Sequence, residues 1–206
     1  PGWQALRLLL PMAAVLALRG QKVCVLASGD PFFFGVGVTL SRHLESGEYV
    51  CIPAPSAFSL AASRLGWALQ DIETVSLHGR SLDLVRPLLH PGHKVLALTS
   101  DETGPAALAT LLTDNGFGKS RLTVLEALGG EQERVRTATA DDFSLADIHV
   151  LNVVAIELLA SKEARILPLA CGLDDDLFGH DGQITKRAIR ALTLSALSPR
   201  RGELFG

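Results

Sequence analysis

The apolar run from Val23 to Ala27 stops abruptly at Ser28-Gly29-Asp30-Pro31, and three phenylalanines and two more glycines, Gly35 and Gly37, follow at once. A short run of this kind ending in a glycine turn reads as a buried strand at the mouth of an α/β sheet. There, strands covered on both faces are continuously hydrophobic and small ligands bind at the carboxyl ends. Gly29 lets backbone come close to a ligand, Asp30 can accept from hydroxyl or amino groups, and Pro31 fixes the exit of the chain. The same residues also make an ordinary strand-to-helix turn, so this stretch alone leaves both readings open.

The pattern continues along the chain. Strand-like runs cover 22–27, 49–53, 72–76, 94–99, 121–126, 134–137 and 149–156, and helix-like runs cover 34–45, 56–65, 81–89, 105–115 and 185–197. Alternation with short connections predicts an α/β fold with parallel strands and right-handed crossovers. Beyond Ser120 the helices thin out and 121–156 reads as consecutive strands, which predicts a mixed or partly antiparallel sheet there.

Composition narrows the partners. The 206 residues, 48% hydrophobic and 20% charged, suffice for a domain with a real core. A formal charge of −3 gives no reason to expect nucleic acid, and Lys186, Arg187, Arg190, Arg200 and Arg201 read as a solvated helix face and its flank. Cys24, Cys51 and Cys171 are odd in number, far apart and without a CxxC pair. They argue against a disulfide framework or zinc site and suit a reducing compartment. His90-Pro-Gly-His93 reads as a turn between exposed histidines, not a metal site.

The apolar stretch 8–18 behind Arg7 has the look of a signal-peptide core. Pro11 interrupts it, Arg19 follows, no small-residue cleavage site is present, and it is too short to span a bilayer. A buried or amphipathic helix ending at Gly20 is the better reading, with no membrane role and a cytoplasmic location expected.

Other loops also carry small polar residues at strand ends. Pro53-Ala-Pro-Ser56-Ala57-Phe58 follows the second run, where Ser56 could be a helix N-cap or a ligand contact. Thr99-Ser100-Asp101-Glu102-Thr103-Gly104 follows the fourth, and Asn152 sits inside LNVVAIEL, where it could simply satisfy buried backbone. There is no GxxxxGK[ST], no GxGxxG and no G-x-S-x-G elbow. What remains suits a polar, weakly anionic or zwitterionic ligand without a tight phosphate cradle.

Four segments in order, SGDPFFFGVG, PAPSAFSLAASRLGW, LTSDETGPAALA and LNVVAIEL, resemble the tetrapyrrole (corrin and sirohaem) methylase family over residues 23–157. Within it the likeness is greatest to the N-terminal domain of decarboxylating enzymes that methylate a precorrin at carbons 5 and 15 in cobalamin synthesis. The segment from His180 onward resembles the lead-in to the second methyltransferase domain of such enzymes.

The resemblance implies two α/β lobes with S-adenosylmethionine in the cleft between them, a homodimer, and precorrin-6B as methyl acceptor. Carried over loop by loop, the cofactor-binding candidates are Gly29, Asp30 and Phe33, then Ser56 and Ala57, then Thr99 and Ser100, and finally Asn152. No metal is expected and no catalytic residue stands out, although Asp30, Asp101 or Glu102 could relay a proton. Phe32 and Phe34 could wall the pocket or be ordinary core. The expected organisation is a methylase domain over 1–165 lacking the family's first strand and GxGPG loop, a linker over 166–182, and the start of a second, truncated domain over 183–206. Alternatives are methylation of another tetrapyrrole such as uroporphyrinogen, or a non-catalytic dimerisation fragment of the same fold.

Overall fold

The computed structural model describes residues 16–200, 202 and 203, so most of the apolar stretch 8–18 lies outside the described residues. Five strands form one mixed sheet: β1 (Glu73–Ser76), β2 (Lys94–Leu98), β3 (Arg121–Glu126), β4 (Arg134–Thr139) and β5 (Asn152–Glu157). Their spatial order is β1-β2-β5-β3-β4. β1 and β2 run parallel, and β5 lies antiparallel between β2 and β3. β3 and β4 form an antiparallel hairpin, as the thinning of helices beyond Ser120 predicts.

Position in the sheet follows composition. β5, the central strand, reads NVVAIE and is buried almost throughout, whereas the edge strand β4 reads RVRTAT and is mostly exposed. Side chains alternate across the sheet. On one face Leu96, Leu125, Val153 and Ala155 meet Phe58, Ala61 and Ala62 of helix α2 (Ala57–Leu65). On the other, Val95, Ala97, Leu122, Val154 and Ile156 meet Leu108, Ala109 and Leu112 of α3 (Gly104–Asp114), together with Val85 and Leu89.

Helix ends obey local chemistry. Ser56 caps α2, its Oγ accepting the Ser59 N–H at 3.1 Å, and Gly66 ends that helix at φ +66°. A short helix α1 (Val36–Ser41) replaces the longer one expected over 34–45, and α4 (Arg187–Leu197) closes the described chain. The N-cap position of α4 is Lys186, with no side-chain hydrogen bond. The run 81–89 is a 3₁₀ helix over Leu82–Leu88 instead of an α-helix, and Pro87, whose ring would crowd the carbonyl four residues back in an α-helix, lies inside it.

Two expected strands are not strands. Residues 22–27 and 49–53 are irregular, and Leu26, Val50 and Ile52 stand exposed. A β-prone run becomes a strand only when a neighbour completes its hydrogen-bond ladder. Among the described residues no backbone pairs with either segment, and the sheet begins at β1.

Candidate functional site

β1, β2 and β3 point the same way and β5 points against them. One edge of the sheet therefore gathers the carboxyl ends of three strands and the start of β5, bringing Thr99, Ser100 and Asn152 together. The Thr99 hydroxyl donates to Asn152 Oδ1 at 2.5 Å, and Asn152 Nδ2 donates to the carbonyls of Asp101 at 3.0 Å and His149 at 2.9 Å. Ser100 Oγ accepts the Gly79 N–H at 2.9 Å, which ties the loop after β1 to the loop after β2.

The loop after β2 is tightly wound. Asp101 Oδ1 accepts from the Thr103 hydroxyl at 2.6 Å, the Thr103 N–H at 2.9 Å and the Gly104 N–H at 3.2 Å. These bonds, the Thr103 hydroxyl foremost, hold the Asp101 carboxyl below the ordinary carboxylate range. Gly104 is required by space: a Cβ there would lie 2.5 Å from Thr99 Cβ.

The second group of candidates forms around the entry to α2. Gly29 adopts φ +77° beside the Pro55-Ser56 turn, and Asp30 Oδ1 accepts the Phe32 N–H at 2.8 Å, winding its own loop. Gly35 and Gly37 are packing glycines, since a Cβ at either would approach the Asp30–Pro31 backbone to 2.3 Å and 2.6 Å respectively. Phe33 and Phe34 are half-exposed and lie 5.3 and 5.9 Å, ring to ring, from the buried Phe58. These rings therefore have one side on the core and one side free. Ala57 opens α2 directly behind the Ser56 cap.

Phe58 is what the two groups share, because it packs against both Phe33 and the sheet residues Leu96 and Val153. Among the described residues no hydrogen bond joins Gly29, Asp30 or Ser56 to Thr99, Ser100 or Asn152. The shallow groove lined by Gln70, Glu73, His93 and Lys94 lies at the opposite end of β1 and β2 and touches none of these residues.

One charged centre escapes a reading by loops. Glu126, at the end of β3, is fully buried and opposes Asn152 in the β3–β5 register. Burial alone pushes its carboxyl up. Hydrogen bonds from Arg134, the His149 N–H and Arg136 outweigh that and bring it to about 2. The signal in the sequence is a glutamate closing the strand RLTVLE, with two arginines eight and ten residues on.

An α/β sheet with several polar loops at the carboxyl ends of its parallel strands defines a class: a domain that holds a small polar ligand at that edge. Residues 4–144 match the family model for Tetrapyrrole (Corrin/Porphyrin) Methylases, and the chain belongs to that family. Residues 176–205 match a further model, described as a Precorrin methyltransferase domain. The chain is 68% identical over 191 residues to a Precorrin-6Y C(5,15)-methyltransferase [decarboxylating] from a Sinorhizobium species, covering 93% of this chain and 46% of that relative. It is 30% identical to the Cobalt-precorrin-7 C(5)-methyltransferase of Salmonella typhimurium, covering 67% of this chain and 70% of that one. The crystal structure of the precorrin-6Y methylase from Archaeoglobus fulgidus superposes with a TM-score of 0.52 at 26% identity, covering 71% of this chain and 70% of that structure. The chain thus spans about half the length of the first of these relatives.

Proposed function

We propose that this chain binds S-adenosylmethionine and methylates a ring carbon of a precorrin, the reaction at carbon 5 belonging to this part of the protein. The observation that carries the reading is the 68% identity to a precorrin-6Y C(5,15)-methyltransferase. Likeness over 70% of a C(5)-methyltransferase supports the choice of carbon. Methylation at carbon 15 and the decarboxylation would fall to the remainder of a longer protein.

The residues present fit such a cofactor. A Cβ at Gly29 would meet nothing nearer than Pro55 O and Ser56 Cα, both at 4.0 Å, so the loop has free space beside its backbone. The half-exposed rings of Phe33 and Phe34 offer an apolar wall next to that space. Gly29, Phe33, Ala57 and the backbone of residues 99–101 would hold the molecule. The Thr99 hydroxyl and the Asn152 amide are already committed to each other and to backbone, so they shape the site without gripping a ligand.

When bound, the sulfonium supplies an electrophilic methyl group for in-line displacement by carbon. The macrocycle carbon is itself electron-rich, so this chain need not provide a strong base. Its task is alignment, which in favourable cases is worth roughly 7–11 kcal/mol of barrier. We propose Asp30 or Glu102 as the acceptor of the departing proton; Asp101 spends Oδ1 on three donors that hold its carboxyl ionised, which makes it a poor one.

The same proposal includes a homodimer in the cytoplasm, to which free Cys24, Cys51 and Cys171 are suited. It also includes a methylase domain over 1–165 joined through 166–182 to the beginning of a second domain. Calorimetry of the full-length protein with S-adenosylhomocysteine tests the reading. Micromolar binding, lost in Gly29→Val, is expected; no binding to the wild-type protein overturns it.

A further inference from the structure

We infer that Glu126 is a positioning residue for the cofactor loop 99–104, acting through His149 and Asn152. This inference rests on the methyltransferase reading above for its functional meaning, but the coupling itself is a property of the chain.

The carboxylate of Glu126 is saturated. Oε1 accepts from Arg134 Nε at 3.1 Å and Arg136 Nε at 2.9 Å. Oε2 accepts from Arg134 Nη2 at 2.7 Å and from the His149 N–H at 2.8 Å. Only an ionised carboxylate can accept from so many donors at once. The two arginines, so oriented, donate onward to backbone carbonyls: Arg136 Nη1 to Ala146 at 2.8 Å, and Arg134 to Asp147. Glu126 therefore clamps the segment 146–149, which connects β4 to β5, by one direct bond and two relayed ones.

From that segment the chain of contacts continues. The His149 carbonyl accepts from Asn152 Nδ2, whose other hydrogen goes to the Asp101 carbonyl, while Asn152 Oδ1 takes the Thr99 hydroxyl. The orientation of the amide is not open to choice. Carbonyl oxygens only accept, so the atom facing both of them must be the nitrogen. Every polar group of Asn152 is thus engaged, and its position depends on His149, which Glu126 holds. A buried charge here has a reason beyond bridging β3 to the edge strand β4: it sets where the loop after β2 sits.

The alternative is that Glu126 merely stabilises the β3–β4 edge, and the experiment separates the two. Hydrogen exchange is measured on the full chain for Glu126→Gln, Asn152→Ala and the double variant. The Thr103 and Gly104 amides, which donate to Asp101, should lose protection by about tenfold in Glu126→Gln, with β2 amides changing far less. In the Asn152→Ala background Glu126→Gln should add little, because the link is already cut. With S-adenosylhomocysteine, Kd should weaken by about tenfold, while turnover at saturating donor stays within about twofold.

Unchanged protection of Thr103 and Gly104, or fully additive effects, overturns the inference and leaves Glu126 a residue that only stabilises the β3–β4 pair. Should Glu126→Gln fail to fold, Arg134→Gln keeps the carboxylate paired with Arg136 but releases Asp147, and the same loss of protection is required of it. If wild-type protein does not bind S-adenosylhomocysteine, the methyltransferase reading fails on its own, and the exchange data still decide this one.

Discussion

The Thr99 hydroxyl lies 2.5 Å from Asn152 Oδ1, and this bond, with that from Asn152 Nδ2 to the Asp101 carbonyl, joins the end of β2 to the start of β5 across the candidate site. Both side chains are buried, so neither partner can turn to water if the other is removed. Thr99→Val keeps the shape and deletes the donor. It should cost about 1–3 kcal/mol in urea unfolding at neutral pH, with Thr99→Ser costing much less. Equal losses in the two variants would mean that the methyl packing, not the hydroxyl, matters.

Acid should weaken the protein through Glu126. Its folded value of about 2 lies below the ordinary 4.5, so its contribution is complete above pH 4.5 and lost progressively as pH falls toward 2. The linked stability is about 3 kcal/mol. Glu133, also brought to about 2, chiefly by Arg64 and then the Gly129 N–H, acts in the same direction and window. Unfolding free energy measured from pH 6 to pH 2.5 should drop more steeply for wild type than for Glu126→Gln. Parallel curves would contradict the assignment.

The glycines of the first loop should separate by cause. At Gly35 a Cβ would stand 2.3 Å from Asp30 O, so Gly35→Ala must displace backbone and is expected to cost about 1–3 kcal/mol or more. At Gly29 a Cβ has room within the protein, and only the left-handed φ of +77° resists it, at about 1–2 kcal/mol. Thermal melts should rank Gly35→Ala below Gly29→Ala. Gly29→Ala should nevertheless lose more affinity for S-adenosylhomocysteine than its stability change explains.

The aspartates at 174–176 fasten α4 to what precedes it. Asp174 pairs with Arg187 at 2.6 Å, Asp175 with Arg190 at 2.7 Å, and Asp176 with Arg165 at 3.1 Å. Arg187 also donates to the Gly172 carbonyl at 2.7 Å, and Arg190 to that of Leu173 at 2.6 Å. Exposed ion pairs are individually weak, but these arginines are oriented by backbone as well. Brief digestion with an unspecific protease should cut within 166–171 and spare 172–178. Replacing all three aspartates by asparagine should extend cleavage through 172–178, and an unchanged digestion pattern would show that the pairs hold nothing.

Much of the sheet was legible because burial writes itself into composition. Residues 153–156 and 95–98 are continuous apolar runs because they are central and covered on both faces, and Ser56 and Gly66 mark the ends of α2 by local chemistry. The runs 22–27 and 49–53 carry the same propensity and yet are irregular, since propensity names a candidate and a pairing neighbour makes the strand.

The sequence by itself determined the α/β class, the family and the four loops, all of which depend on residue type and short-range order. Only the tertiary structure decided which of their atoms are engaged and which are left free. Gly29 and Phe33 retain free surface, whereas Thr99 and Asn152, read as cofactor contacts, use their polar atoms on each other and on backbone. Glu126 came into view for the same reason. Hydrogen bonding is a matter of which groups meet, and residues 126, 149, 152 and 99 meet only when β5 inserts between β2 and β3.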